Sequence, residues 1–165
     1  MDRAQPRENM SLNYIEGVTM AAVRRATVKW TGDLATGSGE LSADTSRAFS
    51  ELPVSWAART EHADGKTSPE ELLASAHASC YSMAFSSDLA KAGSPPDSLD
   101  VTSEIAFDRV DGKWTVISSK LTVHGHVPGL DAGRFRELAE GAKNGCPISR
   151  ALAGNVALSV EASLD

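Results

Sequence analysis

The sequence predicts an α+β fold in which a mostly antiparallel sheet wraps around one long, buried central helix. Residues 69–91 are small and apolar and carry the start and stop signals of a helix. Segments in which apolar and polar residues alternate lie on both sides of this helix, as is typical of half-buried strands. Strands and helices do not alternate regularly along the chain, so a parallel βαβ arrangement is not expected.

Length and composition indicate one globular domain. A chain of 165 residues is long enough for a core, and we expect a single domain over residues 21–165. Residues 1–20 are polar and weakly periodic, which predicts a flexible N-terminal extension. The formal net charge of −6 gives no electrostatic basis for binding nucleic acid or an anionic membrane. No apolar run approaches the roughly 20 residues of a membrane span and no signal-peptide core follows Met1, so we expect a cytoplasmic protein.

Three short strands are predicted ahead of the central helix. Their expected ranges are 23–30, 37–42 and 48–56, with a turn at Gly32-Asp33 and an interruption at Pro53. Residues 57–66 are polar, and we expect a loop there that leads into the helix.

The central helix has a clear beginning and end. Ser68 and Glu71 have the spacing of a capping box, and Pro69 fits the first helical position. Gly93 follows the last helical residues and ends the helix. Because the body is apolar on every face, we expect burial on every face, and its small residues would let another backbone approach closely.

The second half of the chain predicts a hairpin, two helices and a closing strand. Asp111-Gly112 is a strong hairpin signal between strands at 101–108 and 114–127. Asp131 caps a helix with an apolar stripe, and Asn144-Gly145 ends it. Pro147 begins a short third helix, and residues 156–162 alternate as the last strand.

The two cysteines lie in different local environments. Cys146 immediately precedes a helix that starts at Pro147, where backbone N–H groups stabilise a thiolate and lower its pKa. Cys80 lies in the middle of the central helix and has no such help from its own backbone. A buried thiol without a positive partner has a raised pKa and is inert. If Cys80 reacts, a cation must therefore be brought to it.

Three motifs carry a resemblance to a known family: Thr67-Ser68-Pro69-Glu70-Glu71-Leu72, His77-Ala78-Ser79-Cys80 with Ser82-Met83-Ala84, and Gly145-Cys146-Pro147-Ile148-Ser149. Together they resemble the OsmC/Ohr family of thiol peroxidases, most closely the OsmC branch, from about Val23 to the C-terminus. The resemblance implies an OsmC-like, intertwined homodimer with active sites at the subunit interface. It also implies reduction of organic hydroperoxides, and less efficiently of hydrogen peroxide, in oxidative or osmotic stress defence. No metal, haem or other cofactor is implied.

The resemblance assigns roles to four residues. Cys80 matches the peroxidatic cysteine and Cys146 the resolving one. Glu70 matches the glutamate of the family's Asn-Pro-Glu-Glu segment, in which Ser68 stands here for the Asn, and Arg59 matches the arginine upstream. The implied cycle passes through a sulfenic acid on Cys80 and a Cys80–Cys146 disulfide. An external dithiol, such as thioredoxin or a lipoylated protein, would reduce that disulfide.

Helix geometry adds a constraint on these roles. Glu70 and Cys80 are ten residues apart, which corresponds to about 15 Å along a helix axis. One unbroken helix cannot bring its own Glu70 to its own Cys80. Either the helix breaks, or the glutamate reaches the cysteine of a second copy, and we therefore expect a dimer with shared active sites.

Two other function classes stay open. In a Cys–His acyl hydrolase, His77 would serve as the base for Cys80, one helical turn later. In a non-enzymatic redox-sensing or ligand-binding dimer, the disulfide would be a switch. His124 and His126 share a strand face, but their spacing matches no tight zinc motif, so we expect no metal.

Overall fold

The computed structural model describes residues 21–165 of the chain, and the extension predicted at residues 1–20 lies outside the described residues. The elements in chain order are β1 (Thr27–Thr31), β2 (Ser38–Ser42), β3 (Leu52–Ser55), α1 (Trp56–Thr60), α2 (Pro69–Lys91), β4 (Ser98–Val110), β5 (Lys113–His126), α3 (Ala132–Gly145), α4 (Pro147–Leu152) and β6 (Ala157–Leu164). The predicted α+β class is confirmed. No helix in residues 21–165 combines the length and hydropathy needed to cross a membrane.

The first three strands form one antiparallel sheet in the order β1-β2-β3. All three were predicted, but β1 and β3 are shorter than expected, and β1 begins only at Thr27. Pro53 lies inside β3 rather than breaking it, because β3 is an edge strand, where a missing N–H is tolerated. Every residue of β1 is exposed.

The prediction of a loop over residues 57–66 is wrong for its first residues, because Trp56–Thr60 forms the short helix α1. Ser55 caps this helix, since its hydroxyl accepts a hydrogen bond from the Ala58 N–H at 3.1 Å. A capping serine with alanines two and three residues later is a helix signal, and the overall polarity of the segment hid it. This short helix places the side chain of Arg59.

The last three strands form a second sheet in the order β4-β5-β6. The predicted hairpin is confirmed: Asp111 and Gly112 join β4 to β5, with φ angles of 50° and 76° that fit a type I′ turn. β6 adds to β5 in parallel. Since β5–β6 is the one parallel pairing among the described strands, the sheet structure is mostly antiparallel, as predicted.

The central helix α2 runs unbroken over 23 residues. Its start is as predicted, with the Ser68 hydroxyl accepting the Glu71 N–H at 3.1 Å. The predicted burial on every face is not found within one chain. The fully buried residues form a single stripe, His77, Tyr81, Phe85 and Leu89. Met83, on another face, is 68% exposed.

The core lies between α2, α3 and the second sheet. Phe85 of α2 packs on Phe135 of α3, with ring centroids 5.0 Å apart, and Leu121 and Val123 of β5 complete the contact. Gly125 is required on β5, because a Cβ there would lie 2.5 Å from the Phe135 ring. This packing holds α3 against the second sheet, and α3 ends at Gly145, immediately before Cys146.

Candidate active site

The fold brings the two cysteines together. Cys80 lies in the middle of α2, and Cys146 lies at the junction of α3 and α4. Both pack into the same apolar cluster, and each thiol shifts the pKa of the other. Both cysteines are free; Cys146 is fully buried and Cys80 is half-buried. The arrangement therefore presents one accessible thiol next to one enclosed thiol.

Within one chain, the surroundings of Cys80 keep it protonated. Burial raises the pKa of its thiol, a hydrogen bond from the Ile148 backbone N–H lowers it, and the neighbouring Cys146 raises it, so that the net pKa is above the ordinary value. The Ile148 N–H belongs to α4, so this help comes from outside the cysteine's own helix. This hydrogen bond does not offset the effect of burial on the pKa of Cys80.

Cys146 is the more acidic thiol of the pair within one chain. Burial raises its pKa, but hydrogen bonds from the hydroxyl and N–H of Ser149, from Cys80 and from the Ile148 N–H lower it below the ordinary value. The Ser149 N–H lies 3.4 Å from the Cys146 Sγ, because Cys146 is the N-cap residue of α4.

Arg59 and Glu70 form a tight, partly buried ion pair. Arg59 Nε lies 3.0 Å from both Glu70 carboxylate oxygens, and its Nη2 lies 2.6 Å from Oε1. The two side chains are 26% and 11% exposed. The guanidinium also lies over the Phe107 ring, 4.0 Å from its centroid. These contacts hold the Arg59 cation in one orientation.

The ion pair and the thiol pair do not meet within one chain. Glu70 lies in the first turn of α2, and Cys80 follows ten residues later in the same unbroken helix, about 15 Å further along the axis. Because Arg59 is bound to Glu70, its guanidinium lies near the N-terminus of α2. A single chain therefore places its cation and its half-buried thiol apart.

His77 is fully buried and fully hydrogen-bonded. Its Nδ1 lies 2.7 Å from the Ser119 hydroxyl, and its Nε2 lies 2.8 Å from the Ser149 hydroxyl. Burial lowers the pKa of the imidazole, which keeps the ring neutral. Neither serine was predicted to have a role, although Ser149 lies in the third motif. The available signal for Ser119 was its place in the inward register of β5, two residues before Leu121.

Two further histidines, His124 and His126, have partners of their own. His124 Nδ1 lies 2.6 Å from the Ser163 hydroxyl, and His126 Nε2 lies 3.6 Å from an Asp97 oxygen. In residues 21–165, His, Cys, Asp and Glu side chains form no group of three or more that could hold a metal ion.

An apolar cavity adjoins Arg59. Its volume is about 350 Å³, and it opens between the first sheet and the N-terminal turn of α2. Apolar side chains provide most of its wall, among them Val28, Trp30, Trp56 and Leu72. The cavity thus places an apolar surface next to the positive charge of Arg59.

Comparisons with known proteins agree with the motif resemblance. The family model of OsmC-like proteins matches residues 62–161. Peroxiredoxin OsmC of Escherichia coli K12 is 35% identical over 142 residues, which cover 86% of this chain and 98% of that protein.

Solved structures show the same fold. An organic hydroperoxide resistance protein OsmC from Legionella pneumophila has a TM-score of 0.64 at 24% identity, with 87% of this chain and 99% of that chain covered. The organic hydroperoxide resistance protein OhrB of Bacillus subtilis has a TM-score of 0.63 at 23% identity, with 84% and 98% covered. With its family-model match and a relative at 35% identity along most of its length, this chain belongs to the OsmC family.

Proposed function

We propose that this protein is a cysteine-based peroxidase that reduces organic hydroperoxides, and hydrogen peroxide less efficiently, without a metal or other cofactor. The observation that carries the proposal is the adjacency of two free cysteines from distant parts of the sequence, one half-buried and one enclosed. Family membership supports it, since the Escherichia coli relative is a peroxiredoxin. A cytoplasmic location would supply the reducing dithiols.

The proposed cycle has three steps. The Cys80 thiolate attacks one peroxide oxygen, the O–O bond breaks, and the alkoxide leaves and is protonated to the alcohol. Cys146 then attacks the Cys80 sulfenic sulfur; the S–S bond forms, and the departing hydroxide takes a proton to become water. An external dithiol, thioredoxin or a lipoylated protein, returns two electrons and restores both thiols.

The cation for Cys80 comes, in this proposal, from a second copy of the chain. Burial raises the pKa of the Cys80 thiol. The Arg59–Glu70 pair of the same chain lies at the N-terminus of α2, too far from Cys80 to lower that pKa. Two α2 helices that cross antiparallel about a two-fold axis would bring each Arg59 to the partner's thiol. The small exposed residues of α2 would allow that crossing: Ser75, Ala76 and Ser79. Val28 and Trp30 in β1, which are exposed in one chain, would also be buried in such a homodimer.

The two alternative functions predict different behaviour. A Cys–His hydrolase needs a free ring nitrogen on His77, and both are engaged by serine hydroxyls. A redox sensor would undergo stoichiometric oxidation and show little turnover with any dithiol. Peroxide consumption with dithiothreitol therefore separates the proposed peroxidase from both.

We expect the enzyme to prefer organic hydroperoxides in that assay. The kcat/KM for cumene and tert-butyl hydroperoxide should exceed that for hydrogen peroxide by about tenfold or more, because each buried CH₂ group contributes about 0.8 kcal/mol. Trp30→Ala, which removes part of the cavity wall, should reduce this ratio. Leu158→Ala, in the second sheet, is the matched control. Equal or faster consumption of hydrogen peroxide would contradict the proposed substrate class.

Loss of the enclosed thiol should uncouple the cycle. We expect Cys146→Ser to reduce one equivalent of peroxide and then to depend on small thiols for slow regeneration. Its Cys80 should accumulate sulfinic acid under excess peroxide, because no neighbouring thiol traps the sulfenic acid. Mass spectrometry of the Cys80 peptide measures this. Unchanged turnover without overoxidation would remove Cys146 from the cycle.

A further inference from the structure

A network of hydrogen-bonded polar side chains ends on Cys146 and is not used in the proposed cycle. Ser103 lies 3.3 Å from the Ser119 hydroxyl, Ser119 lies 2.7 Å from His77 Nδ1, and His77 Nε2 lies 2.8 Å from the Ser149 hydroxyl. Ser149 in turn donates its N–H to the Cys146 sulfur at 3.4 Å. The links join β4, β5, α2 and α4, so tertiary packing alone assembles them.

This network places polar side chains in space that apolar side chains could fill. His77 and Ser119 are 0% exposed and Ser149 is 2% exposed, and they lie beside apolar residues such as Leu121 and Tyr81. A buried polar group destabilises the fold unless it is hydrogen-bonded. In residues 21–165 no buried side-chain nitrogen or oxygen lacks a partner, so the network is complete. A complete network can run in two directions, one for each tautomer of the neutral imidazole.

The tautomer of the neutral His77 ring decides that direction. A neutral imidazole donates from one nitrogen and accepts at the other. With the proton on Nε2, His77 donates to the Ser149 oxygen and accepts the Ser119 hydroxyl proton at Nδ1. The Ser149 hydroxyl proton is then left free to face the Cys146 thiol, whose pKa a hydrogen bond from this hydroxyl lowers. Both the hydroxyl and the N–H of Ser149 would donate to that sulfur.

We propose that His77 is a positioning residue that donates through Nε2 to Ser149 and so holds the Ser149 hydroxyl as a hydrogen-bond donor to the Cys146 thiolate. The inference rests on the proposed role of Cys146 as the resolving thiol. Ionised Cys146 supplies the electron pair for the S–S bond, the S–O bond of the Cys80 sulfenic acid breaks, and the departing hydroxide takes up a proton to give water. His77 itself stays neutral and touches no reacting atom.

Other titratable groups face Cys146 from the helices packed around it. The neighbouring thiol of Cys80 and the phenol of Tyr81 face it from α2. The carboxylates of Asp88 on α2 and Glu140 on α3 act on the same region, where with burial they raise the pKa of Tyr81. Burial opposes a thiolate at Cys146, and hydrogen bonds from Cys80 and, on α4, from Ser149 and the Ile148 N–H offset that burial.

The Cys80→Ser variant gives a direct test, because the chain has two cysteines and Cys146 is then its one thiol. Its pKa is read from the ultraviolet absorbance of the thiolate. We expect Ser149→Ala and His77→Phe, each in this background, to raise the pKa of Cys146 by about one pH unit or more, since hydrogen bonds to charged groups are among the strong ones. His77→Gln retains an N–H donor and should restore much of the wild-type value.

Ser163→Ala is the matched control, since it removes a serine hydroxyl from His124, the other Ser–His pair. It should leave the pKa of Cys146 unchanged. An unchanged pKa in Ser149→Ala would overturn the proposal even if His77→Phe does not fold, because Ser149→Ala removes only one oxygen atom. A shift in Ser149→Ala that is absent in a folded His77→Phe would also overturn it.

A second measurement keeps this inference separate from the peroxidase proposal. In the two-cysteine protein, the pH midpoint of disulfide formation after one equivalent of peroxide should move upward in Ser149→Ala. If wild-type protein forms no disulfide, the proposed cycle fails, whereas the single-thiol titration still decides the role of His77.

Discussion

Cys80→Ser is expected to lose peroxide turnover, with kcat/KM for cumene hydroperoxide lower by a factor on the order of 10³ or more. A serine hydroxyl is not ionised at neutral pH, and attack on a peroxide oxygen needs an ionised, polarisable nucleophile. The substitution changes one atom of a half-buried side chain, so the fold should persist. Peroxide consumption with dithiothreitol measures the loss, and circular dichroism controls for folding.

Normal turnover in Cys80→Ser would identify a different attacking thiol. Within one chain, Cys146 is the thiol with the lowered pKa and Cys80 the thiol with the raised one. Normal turnover in Cys80→Ser would therefore transfer the attacking role to Cys146. We do not expect this, because Cys146 is 0% exposed and a hydroperoxide has no contact with its sulfur.

Arg59→Ala should give the second large effect. A positive charge within about 4–6 Å lowers the pKa of an acid by about 1–3 units. Without it, the thiolate fraction of Cys80 at neutral pH should fall, and kcat/KM with it, by about 10²-fold. The thiolate is the reactive form, so a higher pKa moves the rise of activity to higher pH. Arg59→Ala should therefore regain activity as the pH is raised.

Two variants control for this effect. Arg59→Lys keeps the charge but loses the bidentate contact with Glu70, so an intermediate rate is expected. Arg109→Ala removes another guanidinium that lies over an aromatic ring, that of Trp114, and should leave the pH profile unchanged. A wild-type pH profile in Arg59→Ala would mean that Cys80 is ionised by another group.

Mixing the Cys80→Ser and Arg59→Ala variants tests whether the active site is shared between two copies of the chain. If Arg59 serves the thiol of its partner, a dimer of one Cys80→Ser chain and one Arg59→Ala chain contains one intact site and one doubly altered site. Activity should then reappear when the chains are unfolded and refolded together. If each chain serves itself, no intact site forms and no activity returns. The unmixed variants, treated in the same way, are the baseline.

The sequence by itself determined the local structure of this protein. The start of α2 at Ser68 and Pro69, the hairpin at Asp111-Gly112 and the helix break before Pro147 all appear where they were predicted. Each depends on residues within one turn of one another, so their signals are complete in a short segment. The family motifs likewise lie in short segments, and family membership is confirmed.

Tertiary structure decided which side chains meet. The partners of His77 are 42 and 72 residues away, and the N–H that reaches Cys80 comes from Ile148 in another helix. The parallel placement of β6 and the burial of only one stripe of α2 also depend on packing between elements. No local pattern encodes such contacts, because they arise only when sheets and helices from distant parts of the chain share one core.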